Sequence, residues 1–439
     1  MNKAELKAAV TAAVDGRRQE IIEIGEKIRR NPELGYKEHQ TATLVEEQFT
    51  RLGLEYENGL AITGSKARIK GALSKVSLAV MGELDAVLCP EHPEAHPETG
   101  AAHSCGHNAQ LAAMLAVGMA LKDTGAMAHL AGDVVLMAVP AEEPVEVEWR
   151  QRLREKGKIS FLGGKQEFIK LGVMDDVDMT VMFHSSITQP NRMASVGGTA
   201  NGFVAKFIKY TGKEAHAGGA PHLGVNALNA AILGLQAIHA NRETLKDDDT
   251  IRIHPIITKG GDLVNIIPAD VRMETYVRGK SMEAILDASK KVNRALKAGA
   301  MAVGAEVDII EIPGFLPRVS NPRMDELMRE NLHQLLGADN VATGTHGTGS
   351  SDIGDIMHIM PAIHPYVAGA VGAGHTKNYQ VEDPELFYIV PAKAMAMTVI
   401  DLLYGDAAEA QEIIANYPPA MTKEEYLRKW EELCAEVDG

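Results

Sequence analysis

Cysteine, histidine and glutamate recur in this chain as short polar clusters, each placed after an apolar run, and together they have the chemistry of a metal site. Cys105-Gly-His107 offers a thiolate and an imidazole two residues apart, which in a loop can both reach one ion. Alone this pair carries little, since an isolated Cys-x-His is more often a buried cysteine beside a capping histidine. Glu142 and Glu143 are adjacent, and two neighbouring carboxylates repel if buried unless a cation lies against them. With a divalent ion present, one of the two can bind it while the other takes a proton from bound water, whose pKa falls towards neutrality. His184 directly follows an apolar run, and His375 sits in Gly-Ala-Gly-His-Thr, where glycine permits close approach of the backbone. A core histidine and a surface turn histidine are the ordinary alternatives, so each gains a ligand reading only in the company of the others.

These side chains need elements that bring them together. The run 76–81 reads as a buried strand and is followed by Gly82-Glu-Leu-Asp85; 133–139 is followed by Pro140-Ala-Glu-Glu143; 178–183 ends at His184. A nearly all-apolar helix is expected over 109–121, just after Cys105-Gly-His107. In an open α/β sheet the ligand site lies beyond the carboxyl ends of the strands, so residues distant in sequence can converge there. Two helices with a turn at 31–35 are expected ahead of the first strand. From about residue 198 the pattern changes to strand (202–210), helix (225–240), strand (251–258), strand (270–278), helix (282–302) and strand (305–311), a compact βαββαβ unit.

The length of 439 residues exceeds the roughly 100–200 of an ordinary domain, so two lobes with a cleft are expected. The chain is 45% hydrophobic and 23% charged, as soluble globular proteins are, with no uninterrupted apolar run of about 20 residues. Its first residues do not read as a signal peptide, and a cytoplasmic protein is the simplest expectation. A net charge of −15 without basic runs argues against nucleic acid or an anionic membrane as partner, and an anionic small substrate would need a local cation. Cys89, Cys105 and Cys434 do not make a disulfide framework.

In order and combination the motifs resemble the M20 metallopeptidase family, in particular its amidohydrolase branch of auxin-conjugate hydrolases, aminoacylase-like enzymes and aminobenzoyl-glutamate hydrolases. The carriers span nearly the whole chain: Arg29-Arg-Asn-Pro-Glu-Leu-Gly35, Glu83-Leu-Asp-Ala86, His103-Ser-Cys-Gly-His107, Pro140-Ala-Glu-Glu143, Ala215-His-Ala217, Asn265-Ile-Ile-Pro268, Arg278, Gly349-Ser-Ser-Asp352 and Gly374-His-Thr376. The resemblance implies an α/β fold with a discontinuous catalytic domain (1–197 and 313–439), built on a central, mostly parallel sheet flanked by helices. An inserted ferredoxin-like α+β lid and dimerisation domain would occupy 198–312. It also implies hydrolysis of the amide bond of an N-acyl or N-aminoacyl amino acid, with a dipeptidase of the same fold as the alternative. Cys105, His107, Glu143, His184 and His375 would hold two divalent ions, Zn or Mn, with Cys105 bridging them, and Glu142 would be the general base. Asp85 matches a carboxylate that orients a histidine ligand. His216 resembles a histidine that, in family homodimers, reaches the partner's site to stabilise the oxyanion. Asn265 and Arg278 match holders of the substrate carboxylate.

The chain also departs from its branch. Asn108 stands where much of it has aspartate, and Glu83-Leu-Asp85 replaces the commoner Asp-x-Asp; both resemble the aminobenzoyl-glutamate hydrolase and dipeptidase side. A glycine-rich stretch usual after Glu143 gives way to Pro144-Val-Glu-Val-Glu-Trp-Arg150 and Phe161-Leu-Gly-Gly164, a region expected close to the site. Two rival readings are a catalytically silent binding protein, which loss of Glu142 or of several ligands would favour, and nucleophilic catalysis by Cys105 with His107.

Overall fold

The computed structural model describes residues 1–190 and 192–435 and begins with three helices, α1 (Lys3–Gly16), α2 (Arg18–Arg29) and α3 (His39–Arg51). The expectation of two helices is corrected here. Arg17, at φ −105° and ψ 11°, leaves the helical region after Gly16, donates its N–H back into α1 and starts α2.

Strands β1 (Tyr56–Leu60), β2 (Gly64–Ile69), β3 (Ser77–Glu83), β4 (Asp133–Val139) and β5 (Met179–Val181), with Ala362–Ile363 beside β5, form a six-stranded sheet in the order β1, β2, β4, β3, β5, 362–363. The last four run parallel and β1 and β2 antiparallel. β4 is buried along its whole length and β3 nearly so, which is why both read as continuous apolar runs instead of alternating ones. Helix α4 (His107–Thr124), buried from His107 through Leu121, packs on β3. Helices α5 (Val147–Glu155) and α6 (Gly164–Lys170) follow β4.

At His184 the chain leaves this sheet, a turn the sequence reading does not contain. His184–Ile187 pairs with Tyr366–Val371 in a second sheet that also holds Ala194–Val196, Val341–Thr343 and Gln380–Val381. The helical run Glu385–Leu403 is apolar and long enough to cross a membrane, yet 94% of it lies buried inside the protein, the setting of a core helix.

The unit that interrupts this lobe contains β6 (Gly202–Thr211), α7 (Ala227–Ala240), β7 (Arg252–Ile253), β8 (Ile256–Lys259), β9 (Asp270–Gly279), α8 (Met282–Val303) and β10 (Glu306–Pro313). Its antiparallel sheet runs β7, β9, β6, β10, with β8 also on β9, and α7 and α8 pack against each other and the sheet. The strand expected over 251–258 is broken into β7 and β8. Pro255 has no N–H to give the ladder, but the register (Ile253 opposite Val277, Ile256 opposite Glu274) carries through, so the two are pieces of one edge strand.

Candidate metal centre

The parallel strands deliver the polar clusters to one sheet edge. Glu83 is the last residue of β3, Asp85 follows two residues on, Glu142 and Glu143 follow β4, and His184 opens the crossover to the second sheet. Cys105 ends a loop and His107 begins α4, with Gly106 between them at φ +87°. A Cβ on Gly106 would stand 1.9 Å from Ser185 Oγ, which itself donates to Cys105 O at 2.9 Å, so glycine is required for both conformation and approach. His375 takes φ 60° in its glycine-framed turn and donates its backbone N–H to Ser104 O at 2.8 Å, which ties that turn to the Cys105 loop.

All five side chains named as ligands in the sequence meet here. Cys105 Sγ lies 3.4 Å from His184 Nε2 and 3.2 Å from His375 Nε2, and His375 Nε2 lies 3.1 Å from Glu143 Oε1. The ligand atoms of Cys105, His107 and His184 fall within 4.8 Å of one another, as do those of Cys105, Glu143 and His375. Asp85 sits behind them: its carbonyl (2.9 Å) and Oδ1 (3.2 Å) face His107 Nδ1, and its Oδ2 accepts the Glu143 N–H at 2.8 Å. His184 Nδ1 lies 2.8 Å from Ser185 O. Both rings are thereby turned with Nε2 inward.

The electrostatics call for cations. Glu83, Asp85, Glu142, Glu143 and Asp352 are all buried, as is Lys165 in the first turn of α6. Lys165 Nζ reaches Glu83 Oε1 at 2.5 Å and also pairs with Asp352 Oδ1. Burial works against the ammonium, but the charges of Asp352 and Glu83 hold its pKa well above the usual lysine value. Burial raises the Glu142 carboxyl well above its ordinary pKa, and the charges of Glu83 and Glu143 raise it further. Glu143 is also buried, yet His375 pulls it down to about 2, while the Glu143 charge lifts His375 to about 11. Burial and Glu143 push the Cys105 thiol up; His184 and His107 outweigh them and bring it to about 6. The Lys165 ammonium and the imidazoles that protonate beside Glu83 and Glu143 balance only part of five buried carboxyls and a thiol, and each uncompensated buried ion costs several kcal/mol. Glu83 Oε2 and His107 Nε2, 3.0 Å apart, have no hydrogen-bond partner at all. Such a set of nitrogen, sulfur and oxygen donors fits divalent ions of the Zn or Mn kind.

The site opens into a cleft of about 480 Å³ walled by both the larger lobe and the inserted unit. Glu142, Glu143, Cys105, His184 and His375 line it, and Arg278 of β9 faces them. The Arg278 guanidinium lies over the Phe203 and Tyr276 rings and donates to Ser350 Oγ at 2.8 Å. His216 and Asn265 are not among the described residues that line the cleft. They stand exposed beside each other on the inserted unit, where the Ala217 N–H donates to Asn265 O at 2.9 Å. Of the region from Pro144 to Gly164 expected close to the site, Pro144 alone is among the described residues that line the cleft. The Pro144 carbonyl accepts the Tyr276 hydroxyl, while Glu146 pairs with Lys37 and Glu148 with Arg272. Lys165 and the inward face of Glu83 are absent from the sequence reading; a lysine after two glycines reads as a surface residue. Cys89 and Cys105 are free thiols, and the Cys434 side chain lies outside the described residues.

Residues 79–396 match the model of peptidase family M20/M25/M40. The chain is similar to the Xaa-Arg dipeptidase of Mus musculus, 30% identical over 424 residues, covering 92% of this chain and 90% of that protein. Its fold is similar to that of an aminobenzoyl-glutamate utilization protein from Klebsiella pneumoniae (TM-score 0.67, 17% identity, 89% of this chain and 97% of that one). It is also similar to that of a dinuclear metal-binding M20 peptidase from Bacillus subtilis (TM-score 0.65, 19% identity, 89% and 99%). With the match extending over most of its length and the donor set in place, this chain belongs to peptidase family M20/M25/M40 and is a metal-dependent hydrolase of amide bonds.

Proposed function

We propose that this enzyme hydrolyses the amide bond of an N-acyl or N-aminoacyl amino acid, dipeptides included, with Glu142 as general base. The observation that carries the proposal is the pairing across one cleft of a buried carboxyl of raised pKa, Glu142, with a half-buried guanidinium, Arg278. Cys105, His107, Glu143, His184 and His375 would hold two divalent ions, with Asp85 fixing His107 and Glu143. When bound, such ions polarise the scissile carbonyl and lower the pKa of water. Glu142 takes the proton of the attacking water and passes it to the leaving amine nitrogen. Arg278 receives the free carboxylate of the substrate as a planar fork, a chemistry common to a dipeptide and to an acylated amino acid.

The similarity to an Xaa-Arg dipeptidase supports dipeptides as the first substrates to try, and N-acyl amino acids are the second class. Charged hydrogen bonds of this kind contribute about 1.5–3 kcal/mol, so Arg278→Ala should raise KM for carboxylate-bearing substrates about 10–100-fold. Substrates with that carboxylate capped as an amide should be poor for the parent enzyme and little changed by the substitution. Steady-state kinetics on paired free and capped compounds tests this, and an unchanged KM on the free acids would sink the assignment.

His216 and Asn265 acquire a role if two copies associate through the inserted unit. The Gly218 and Gly219 N–H groups donate to His216 Nδ1 at 3.2 and 2.8 Å, which leaves Nε2 as the protonated nitrogen, a donor suited to an oxyanion. The edge strand β8 exposes Ile256 (60%) and Ile257 (40%), apolar side chains on an open ladder that a second copy would cover. A homodimer in sedimentation is the expected result. Mixing inactive Glu142→Gln and His216→Ala chains should then restore about a quarter of parent activity, since half of the mixed dimers' sites are intact. A fully active monomer would refute the trans role of His216.

A further inference from the structure

Glu83 enters the sequence reading as a strand-end carboxylate and a stand-in for aspartate, but its position at the end of β3 is more specific than that. His107 Nδ1 faces two acceptors, the Asp85 carbonyl at 2.9 Å and Oδ1 at 3.2 Å, so the proton of a neutral ring resides there and Nε2 presents a lone pair. Glu83 Oε2 presents another lone pair 3.0 Å away. Both atoms are fully buried and neither has a hydrogen-bond partner. In a protonated ring the Nε2 hydrogen lies between them; in the neutral ring that a metal requires, the two lone pairs converge on one point, where an ion would lie against both. Donors bound at about 2.0–2.2 Å to one ion stand about 3.4 Å apart in a tetrahedral site and about 3 Å apart in an octahedral one, and the 3.0 Å seen here is of that order.

The other oxygen of Glu83 is already committed. Oε1 accepts from Lys165 Nζ at 2.5 Å, and Lys165 is in turn fixed by Asp352, which pairs with its ammonium and accepts its backbone N–H at 3.0 Å. The carboxylate of Glu83 is thus ionised, held in one orientation and aimed at His107. Glu142 Oε2 completes the surroundings, 3.9 Å from His107 Nε2. The ligand atoms of Glu83, His107 and Glu142 lie within 4.8 Å of one another, while Glu143 and His375 group with Cys105.

We propose that Glu83, held by Lys165, is itself a metal ligand that shares an ion with His107. This rests on the two-ion reading above and adds a donor to it. The test measures ions bound, not turnover. Metal content of the parent, Glu83→Gln and Glu83→Asp is followed by elemental analysis during dialysis against graded chelator. In parallel, cobalt-substituted protein reports the Cys105 thiolate through its charge-transfer band, and melting of the metal-free chains reports the fold. Glutamine keeps an oxygen for Lys165 but loses the anionic donor; aspartate keeps the buried charge but withdraws it from the ion. The expected result is two ions per parent chain, with one of them lost from both variants at chelator concentrations about tenfold lower or less, the cobalt–thiolate band retained and the metal-free melting temperature little changed. Two ions held with parental affinity in either folded variant would overturn the proposal. Should Glu83→Gln fail to fold, Glu83→Asp decides alone. A parent chain that holds no ions would defeat the two-ion reading itself, a failure distinct from that of Glu83.

Discussion

Glu142→Gln is expected to lower kcat by about 10²–10⁴ while the protein keeps its ions and its fold. The substitution is isosteric and removes only the proton acceptor. The cleft contains a close internal control, because Glu143 is covalently next in line and faces a different environment. His375 holds Glu143 ionised near 2, whereas burial with Glu83 and Glu143 nearby raises Glu142. Two adjacent carboxyls whose environments push them apart in this way are suited to different tasks, one as a permanent anion and the other as a group that gains and loses a proton. Glu143→Gln should therefore act differently, by weakening metal retention. Kinetics paired with elemental analysis separates the two: near-parental turnover by a metal-replete Glu142→Gln enzyme would remove Glu142 from the mechanism.

Chelation should have the largest effect of all, abolishing turnover within detection, with recovery on adding Zn²⁺ or Mn²⁺. The physical reason lies in the charge balance of the site, where Lys165 is committed to Glu83 and Asp352 and provides no electrophile for a substrate carbonyl. Removal of ions that bind the folded state alone should also lower the melting temperature, by an amount that grows with the ratio of ion concentration to Kd. A chain that resists chelation but is inactivated by thiol alkylation would instead point to Cys105 as a nucleophile. The geometry disfavours that outcome, since Cys105 Sγ is flanked by the inward nitrogens of His184 and His375 at 3.4 and 3.2 Å, an arrangement of ligands more than of a single base and nucleophile.

The parts of this site that could be read in advance share a cause. Glu83, Glu142 and His184 each end or follow a run of buried apolar residues, and the parallel sheet converts that local pattern into proximity. The inserted unit was legible for a similar reason, since the alternating burial of β9 and the one-sided burial of α8 leave periodic traces. Lys165 left none, because its burial depends on Asp352, almost 190 residues away in sequence and close only in the fold. The second sheet was equally silent: its strands are two to six residues long, too brief for period-two patterning, and its parallel and antiparallel pairings mix freely. The break at Arg17 turns on one residue's backbone angles, a scale at which propensity is a weak guide.

The segment that follows the two glutamates has a mechanical consequence. Pro144, bonded covalently to Glu143, receives the Tyr276 hydroxyl of the inserted unit, and four residues on Glu148 pairs with Arg272 of the same strand. The inserted unit is thus fastened at two points to the segment that leaves the metal centre. Arg278, Tyr276 and Arg272 all belong to β9, so the strand that brings a guanidinium to the cleft is also the one that holds the backbone just after Glu143.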